Sequence, residues 1–178
     1  MDREEKIKIL SIDSTFIENK NGIDETGRNI YYKNKRGRKI TAIVDTQGVP
    51  LILDVSEGNR HDCKLFDETF DKLKKSKEIK INPKKKYFLA DKGYDSEKIR
   101  DDLKKMKYIP IIPKRKRKGV NSSLKKKEIK IYRKRIIVEN TFSWIKRYAK
   151  VDRIDEKSKR SYEGLLMMAT SIIIFNKR

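Results

Sequence analysis

Tyr132, Arg135, Glu139 and Lys146 follow one another at offsets of 3, 4 and 7. At ~100° per residue they fall within about 60° of one another on a helix surface. A phenol, a guanidinium, a carboxylate and an ammonium on one line suit contact with phosphate beside an acidic centre. Upstream, Asp13 and Asp91 each interrupt or end an apolar run. Three acids on separate elements suggest a carboxylate site that holds divalent metal and cuts nucleic acid.

Phosphodiester chemistry needs an activated water or hydroxyl and a stabilised leaving oxygen. Two metal ions roughly 3.5–4 Å apart supply both. Magnesium and manganese take hard oxygen ligands, so acidic residues must converge from separate elements. Asp13, Asp91 and Glu139 meet that need. Most of the 26 acidic residues are solvated surface groups by default. Asp45 and Asp54, beside turns, are read that way, and Asp62 is read as a helix cap.

The elements that carry these residues follow from pattern. Lys8 to Ile17 alternates as a strand, with Leu10, Ile12 and Phe16 on one face and Ile9, Ser11, Asp13, Thr15 and Ile17 on the other. A lone carboxylate on such a face is costly unless partnered. Asn19 to Gly37 is polar and reads as a loop. Lys39 to Asp45 and Val49 to Ser56 flank Thr46-Gln47-Gly48 and read as a hairpin. Asp62 opens a helix to about Leu73. Lys86 to Asp91 reads as a strand, Asp95 or Ser96 caps a helix to about Met106, and Tyr108 to Ile112 is an edge strand because Pro110 cannot donate to a ladder.

Residues 114–127 read as an exposed basic loop. A long helix is expected from Leu124 to about Val151, and an apolar closing helix over Gly164 to Phe175. On the long helix, Ile131, Val138, Phe142, Ile145 and Ala149 fall on one arc and Ile129 and Ile136 on another. The stripe of Tyr132, Arg135, Glu139, Ser143 and Lys146 lies between, as a polar slot between packed faces rather than an outward polar face. The structural alternative is an intrahelical Arg135–Glu139 pair, in the weaker order of base before acid. At ~1.5 Å per residue, Lys146 lies about 10 Å along the axis from Glu139, suited to a neighbouring phosphate. Arg135, one turn away, can reach the scissile phosphate or hold the carboxylate ionised. The whole order describes a single α/β domain with an early antiparallel hairpin.

Composition sets the partner. The chain has 178 residues, 36% hydrophobic and 41% charged, and a formal net charge of +21. Such a surplus implies a polyanion, most often nucleic acid. Lys114, Arg115, Lys116, Arg117 and Lys118 form a run suited to tracking a DNA backbone beside the catalytic helix, or to nuclear import in a eukaryotic cell. Lys92 and Tyr94, next to Asp91, are candidate substrate contacts. His61, the single histidine, reads as structural, and Trp144 as packing. One cysteine, Cys63, excludes a disulfide framework within the chain and fits a reducing, intracellular setting. The charged start lacks a signal peptide's apolar core. The most apolar segment, Gly164 to Phe175, has twelve residues, short of the about 20 needed to span a bilayer, so no membrane role is expected.

With these residues in hand, the chain resembles the catalytic domain of DDE transposases of bacterial insertion sequences. The late helix matches that group's pattern Tyr-x2-Arg-x3-Glu-x6-Lys at all four positions. Ile12-Asp13-Ser14-Thr15 is similar to the first-aspartate strand, Leu89 to Asp95 to the second-aspartate region, and Gly58-Asn59-Arg60-His61-Asp62 to a turn between them. The resemblance implies a ribonuclease H-like fold with a mixed five-stranded sheet of order 3-2-1-4-5 flanked by helices. It implies two magnesium or manganese ions held by Asp13, Asp91 and Glu139. It further implies cleavage of double-stranded DNA at transposon ends and strand transfer into target DNA. It admits a homodimer on DNA, in the cytoplasm or nucleoid of a prokaryote or the nucleus of a eukaryote. Family members also carry an N-terminal region that helps recognise terminal repeats. Here the first catalytic strand begins within ten residues of Met1, so that region is expected to be absent or supplied as a separate polypeptide. The competing readings are a catalytically silent, domesticated DNA-binding protein and a host nuclease of the same fold.

Overall fold

A computed structural model describes residues 9–76, 86–115, 124–149 and 156–177. Its centre is β1, Ile9–Glu18. Antiparallel to β1 runs β3, Lys35–Val44, and parallel to it β5, Lys86–Leu89. Beyond β3 lies β4, Pro50–Glu57, and beyond β5 lies β6, Tyr108–Ile111. The five predicted strands therefore take the expected order 3-2-1-4-5. A sixth, β2 (Gly27–Asn29), adds three residues beside the start of β3.

Two layers cover the sheet. Below it lie α1 (Asp62–Lys75) and α2 (Glu97–Lys105), burying Leu10, Ile12, Phe66, Phe70, Phe88 and Leu103. Above it, α4 (Ile136–Ala149) and α5 (Lys159–Asn176) bury Ile17, Ile40, Ala42, Val138, Phe142, Leu166 and Ile173. A strand covered on both faces explains why the apolar residues of β1 fall on both, Leu10, Ile12 and Phe16 on one and Ile9 and Ile17 on the other. Its period-2 alternation sends Asp13 toward the α4 side, one pleat away from Ile12.

Several expectations need correction. The excursion over 19–37 is not all loop: β3 starts at Lys35, four residues early, because Gly37 and Arg38 pair with Glu18 and Ile17 although their side chains do not alternate. Asp45 and Asp54 are buried, not solvated. Asp45 builds the hairpin turn by accepting from the backbone N–H of Gln47 and Val49, each at 2.8 Å. Asp54 pairs with Lys72 at 2.7 Å. Asp62 is the first residue of α1 rather than its cap; His61 holds the cap position without a side-chain bond. The closing helix starts at Lys159, since Ser158 caps it and Asp24 accepts from the Lys159 N–H at 2.8 Å. Trp144 is half exposed, with the Lys177 ammonium 4.1 Å from its ring centre.

The long helix is broken. It consists of α3 (Lys126–Tyr132), a 3-10 turn over Arg133–Arg135, and α4. The tighter turn shifts the phase between the two halves, and Ile129 and Ile136 are exposed at 40% and 55% instead of packed. The stripe thus has one packed flank, not two. Val151, the expected end, lies outside the described residues, as does Lys8. Among the described residues, no helix is long and apolar enough to cross a membrane.

One glycine is fixed by close approach. An alanine Cβ at Gly37 would lie 2.1 Å from the Ile17 carbonyl oxygen and 2.7 Å from the Phe16 ring. Gly37→Ala is expected to destabilise the fold by about 2 kcal/mol, the range for overpacking a rigid contact. A lowered urea midpoint would show it; an unchanged midpoint would mean that β1 and β3 separate freely there.

Candidate active site

Asp13 projects from the middle of β1 toward the junction of α3 and α4. One carboxylate oxygen accepts from the Ser14 N–H at 2.8 Å, and the other from Arg135 at 2.6 Å. The second arm of Arg135 donates to Glu139 at 2.5 Å. A single guanidinium therefore joins two carboxylates that lie 126 residues apart in sequence. Arg135 closes the 3-10 turn between α3 and α4, and its guanidinium carbon is 5.7 Å from the centre of the Tyr132 ring. Tyr132 packs in turn against Ile9, Leu89 and Ile111, which anchors the break to the sheet.

Burial pushes the Asp13 carboxyl above its ordinary range; Arg135 and the Ser14 N–H pull it partly back, and nearby Asp91 adds to the rise. Burial works against the Arg135 charge, but Asp13, Tyr132 and Glu139 outweigh it and hold the guanidinium above its usual value. The Tyr132 phenol is raised by burial, which Arg135 partly offsets. Glu139 is the open side of the site, its side chain 45% exposed.

Asp91 follows β5. The parallel register sets Ser11 against Leu89, so two residues further along each chain Asp13 and Asp91 come level. Its carboxylate accepts from the Lys92 N–H at 2.5 Å and caps a 3-10 turn over Lys92–Tyr94. That turn is held from several sides. Arg115 donates to the carbonyl oxygens of Lys92 at 3.1 Å and Gly93 at 2.8 Å, and its own N–H donates to Asp95 at 2.8 Å. Arg100 pairs with Asp95 at 2.6 Å. The Asp62 carboxylate lies so close that an alanine Cβ at Gly93 would be 3.0 Å from it. The Tyr94 hydroxyl meets Ser14 Oγ at 2.7 Å, and Ser14 Oγ meets Thr41 Oγ1 at 3.0 Å. This hydroxyl chain ties the Asp91 loop to the strand directly behind Asp13.

Tyr94 is thus a buried strut and not a substrate contact. The Arg115 guanidinium is engaged with the loop, while Lys92 and Lys114 are exposed beside it. Lys146 is half-buried on α4, two turns beyond Glu139. Lys116, Arg117 and Lys118 lie outside the described residues. Ser14, Asp62 and Arg115 were not singled out as the loop's supports by sequence reasoning. Their signal is faint: glycine at position 93, where no side chain fits against Asp62.

The family model for the transposase DDE domain matches residues 4–175. The chain belongs to that family. No curated protein sequence matches it. Among solved structures, the chain is similar to the piggyBac transposase of a synaptic complex with hairpin DNA, at 12% identity and a TM-score of 0.61. The match covers 96% of this chain and 47% of that one, so the chain spans about half the length of that relative. It is also similar to the catalytic core domain of BIV integrase, at 11% identity and a TM-score of 0.50, covering 92% of this chain and 80% of that one. The fold of this DDE domain is ribonuclease H-like.

A divalent cation would need hard anionic oxygens. The DDE domain offers three carboxylates on separate elements, two of which already share one cation, the Arg135 guanidinium. The donor chemistry fits magnesium or manganese. Among the described residues, no three acidic, histidine or cysteine side chains are drawn together as tightly as a metal shell, and Arg135 bridges Asp13 and Glu139.

Proposed function

We propose that this chain is the catalytic domain of a DDE transposase that cleaves double-stranded DNA at transposon ends and transfers the freed strand to target DNA. The carrying observation is the bidentate bridge from Arg135 to Asp13 and Glu139, with Asp91 level beside Asp13. A divalent cation held by Asp13, Asp91 and Glu139 would supply the activated water and neutralise charge at the leaving oxygen. The chain's own side chains do the rest. The bridge keeps Asp13 and Glu139 facing each other while their charges are otherwise uncompensated. When DNA enters, the same fork suits two phosphate oxygens, so Arg135 can exchange carboxylate for phosphate without a change of charge. Tyr132 supports that guanidinium from its ring face. Lys92, Lys114 and Lys146 would neutralise flanking phosphates, as would Lys116, Arg117 and Lys118. A net charge of +21 supports DNA as the partner.

The test is nicking of supercoiled plasmid and joining of a 3′-hydroxyl oligonucleotide, each with magnesium or manganese. Asp91→Asn and Glu139→Gln are each expected to lower both activities about a thousandfold, the scale for losing one member of a catalytic unit, while DNA binding persists. Equal residual nicking in wild type and both variants would overturn the assignment. Nicking without joining would point instead to a nuclease of the same fold.

A further inference from the structure

The segment between β2 and β3 carries a second feature that the catalytic centre does not use. Ile30–Tyr32 forms a 3-10 turn in which Ile30 is 83% and Tyr31 88% exposed. Apolar and aromatic side chains so far from any core do not serve the packing of the fold. Their backbone is nonetheless fixed. The Asn29 side chain accepts from the Tyr31 N–H at 3.0 Å and donates to the Gly58 carbonyl at 2.6 Å, from a buried position. Tyr32 stacks on Phe16 with ring centres 4.7 Å apart. Lys33 and Asn34 both adopt left-handed backbone, at φ 55° and 57°, a conformation that non-glycine residues hold only where their surroundings impose it.

Charge identifies the occupant. From Gly27 to Lys39 there are six basic residues and no acidic one. Lys35, Arg38 and Lys39 are paired with Glu18, Asp24 and Asp62. Arg28, Lys33 and Arg36 have no carboxylate within ion-pair distance among the described residues and border the exposed tip along the chain, Arg28 and Arg36 facing each other in the β2–β3 register. An exposed aromatic ring carried on a fixed backbone, with unpaired cations beside it in the chain, is a platform for nucleic-acid bases: the cations meet phosphates and the ring meets a base face. A paired duplex hides those faces, so the ring selects DNA whose bases are unpaired or splayed.

We propose that the Ile30–Tyr31 tip is a base-stacking contact for unpaired nucleotides of the DNA substrate, flanked by Arg28, Lys33 and Arg36 as phosphate contacts. Phe16, on which the tip rests through Tyr32, is three residues from Asp13, about 10 Å along the strand. Its side chain lies on the opposite face of the sheet from Asp13, so the contact would meet DNA at the flank of the catalytic carboxylates rather than among them. It rests on DNA being the substrate, as proposed above, but not on cleavage.

The full chain is titrated, in chelator so that no cutting occurs, against two probes. One is a fully paired duplex. The other is the same duplex with three unpaired nucleotides, the central one 2-aminopurine. Tyr31→Ala is expected to weaken binding to the unpaired probe about tenfold, the scale of one stacked base, and to abolish the stacking quench of 2-aminopurine. Binding to the paired duplex should not change, and Tyr31→Phe should behave as wild type. Arg28→Gln should weaken both probes alike. Wild-type affinity and quench in Tyr31→Ala would overturn the proposal, as would equal weakening for both probes. If the wild type shows the Tyr31-dependent quench but never nicks plasmid with metal, the catalytic reading fails and the stacking contact stands.

Discussion

Asp13→Asn is expected to abolish plasmid nicking while raising the thermal stability of the fold at pH 7. The reason is the environment of Asp13. Burial lifts its carboxyl above the ordinary value of 3.8, and neither Arg135 nor the Ser14 N–H fully restores it. The folded chain therefore holds this proton to a higher pH than the unfolded chain does. Below 3.8 both states are protonated and the site is neutral in the ledger of stability. As pH rises through the window between 3.8 and the raised folded value, the native state loses stability, and by pH 7 the full penalty is present. Asparagine has the same shape without the charge, so it removes the penalty. The melting temperature of the variant should exceed that of wild type at pH 7, and the gap should close as pH falls toward 3.8. Nicking should fall about a thousandfold or more, and added manganese should stabilise wild type but not the variant. A variant less stable than wild type at pH 7 would show that the ion pair with Arg135 outweighs burial. This coupling of strain to chemistry is the usual consequence of gathering acids in one site.

Arg38→Met is expected to be the most damaging substitution outside the site, at about 3–5 kcal/mol, the scale of removing one partner from a buried charged network. Arg38 is fully buried at 0% exposure. It donates to the Asp24 carboxylate at 2.7 Å and to the carbonyl oxygens of Asp24, Lys157 and Glu156 at 3.0, 2.9 and 3.3 Å. Its guanidinium carbon lies 5.7 Å from the centre of the Tyr162 ring. Methionine would match much of the volume but leave three carbonyl oxygens without these donors. Because those carbonyls belong to the 19–26 excursion and to the approach to α5, the loss should also loosen the segment that leads into the Tyr31 tip. Urea denaturation measures the first effect. Hydrogen exchange at Ile23, whose N–H bonds the Lys157 carbonyl at 3.0 Å, measures the second. A midpoint within experimental error of wild type would mean that the carbonyls find water instead.

The two effects have opposite signs for a shared physical reason. Asp13 is a half-buried charge whose desolvation its partners do not fully offset, so removing the charge is expected to relieve the fold. Arg38 is a buried charge that donates to four acceptors at once, so removing it takes a donor from each.

The parts of this molecule that follow from local pattern were legible in the amino-acid order. Alternation over Ile9–Ile17 and the turn at Thr46-Gln47-Gly48 define β1 and the β3–β4 hairpin, and Pro110 marks β6 as an edge. Helical spacing put Arg135 and Glu139 on one line, and they are in contact. What local pattern could not show depends on contacts between distant segments. Asp45 looks solvated beside a turn, yet the turn closes over it. Gly37 and Arg38 do not alternate, yet the glycine's missing side chain and the arginine's four acceptors place them in a strand. The 3-10 break at Arg133–Arg135 has no proline or glycine to announce it; it coincides with the packing of Tyr132 on the sheet and the pull of Asp13 on Arg135.

The sequence by itself determined the five main strands, the helices that cover them, their order and the residue types of the site, because hydrophobic period and motif spacing are properties of neighbours along the chain. Only the tertiary structure decided that Arg135 joins Asp13 to Glu139, that Tyr94 and Arg115 hold the Asp91 loop, and that Tyr31 stands free in solvent on a fixed backbone. Those are matters of distance between segments far apart in sequence, and a side chain's charge or ring acquires its partner only when the sheet register brings the two together.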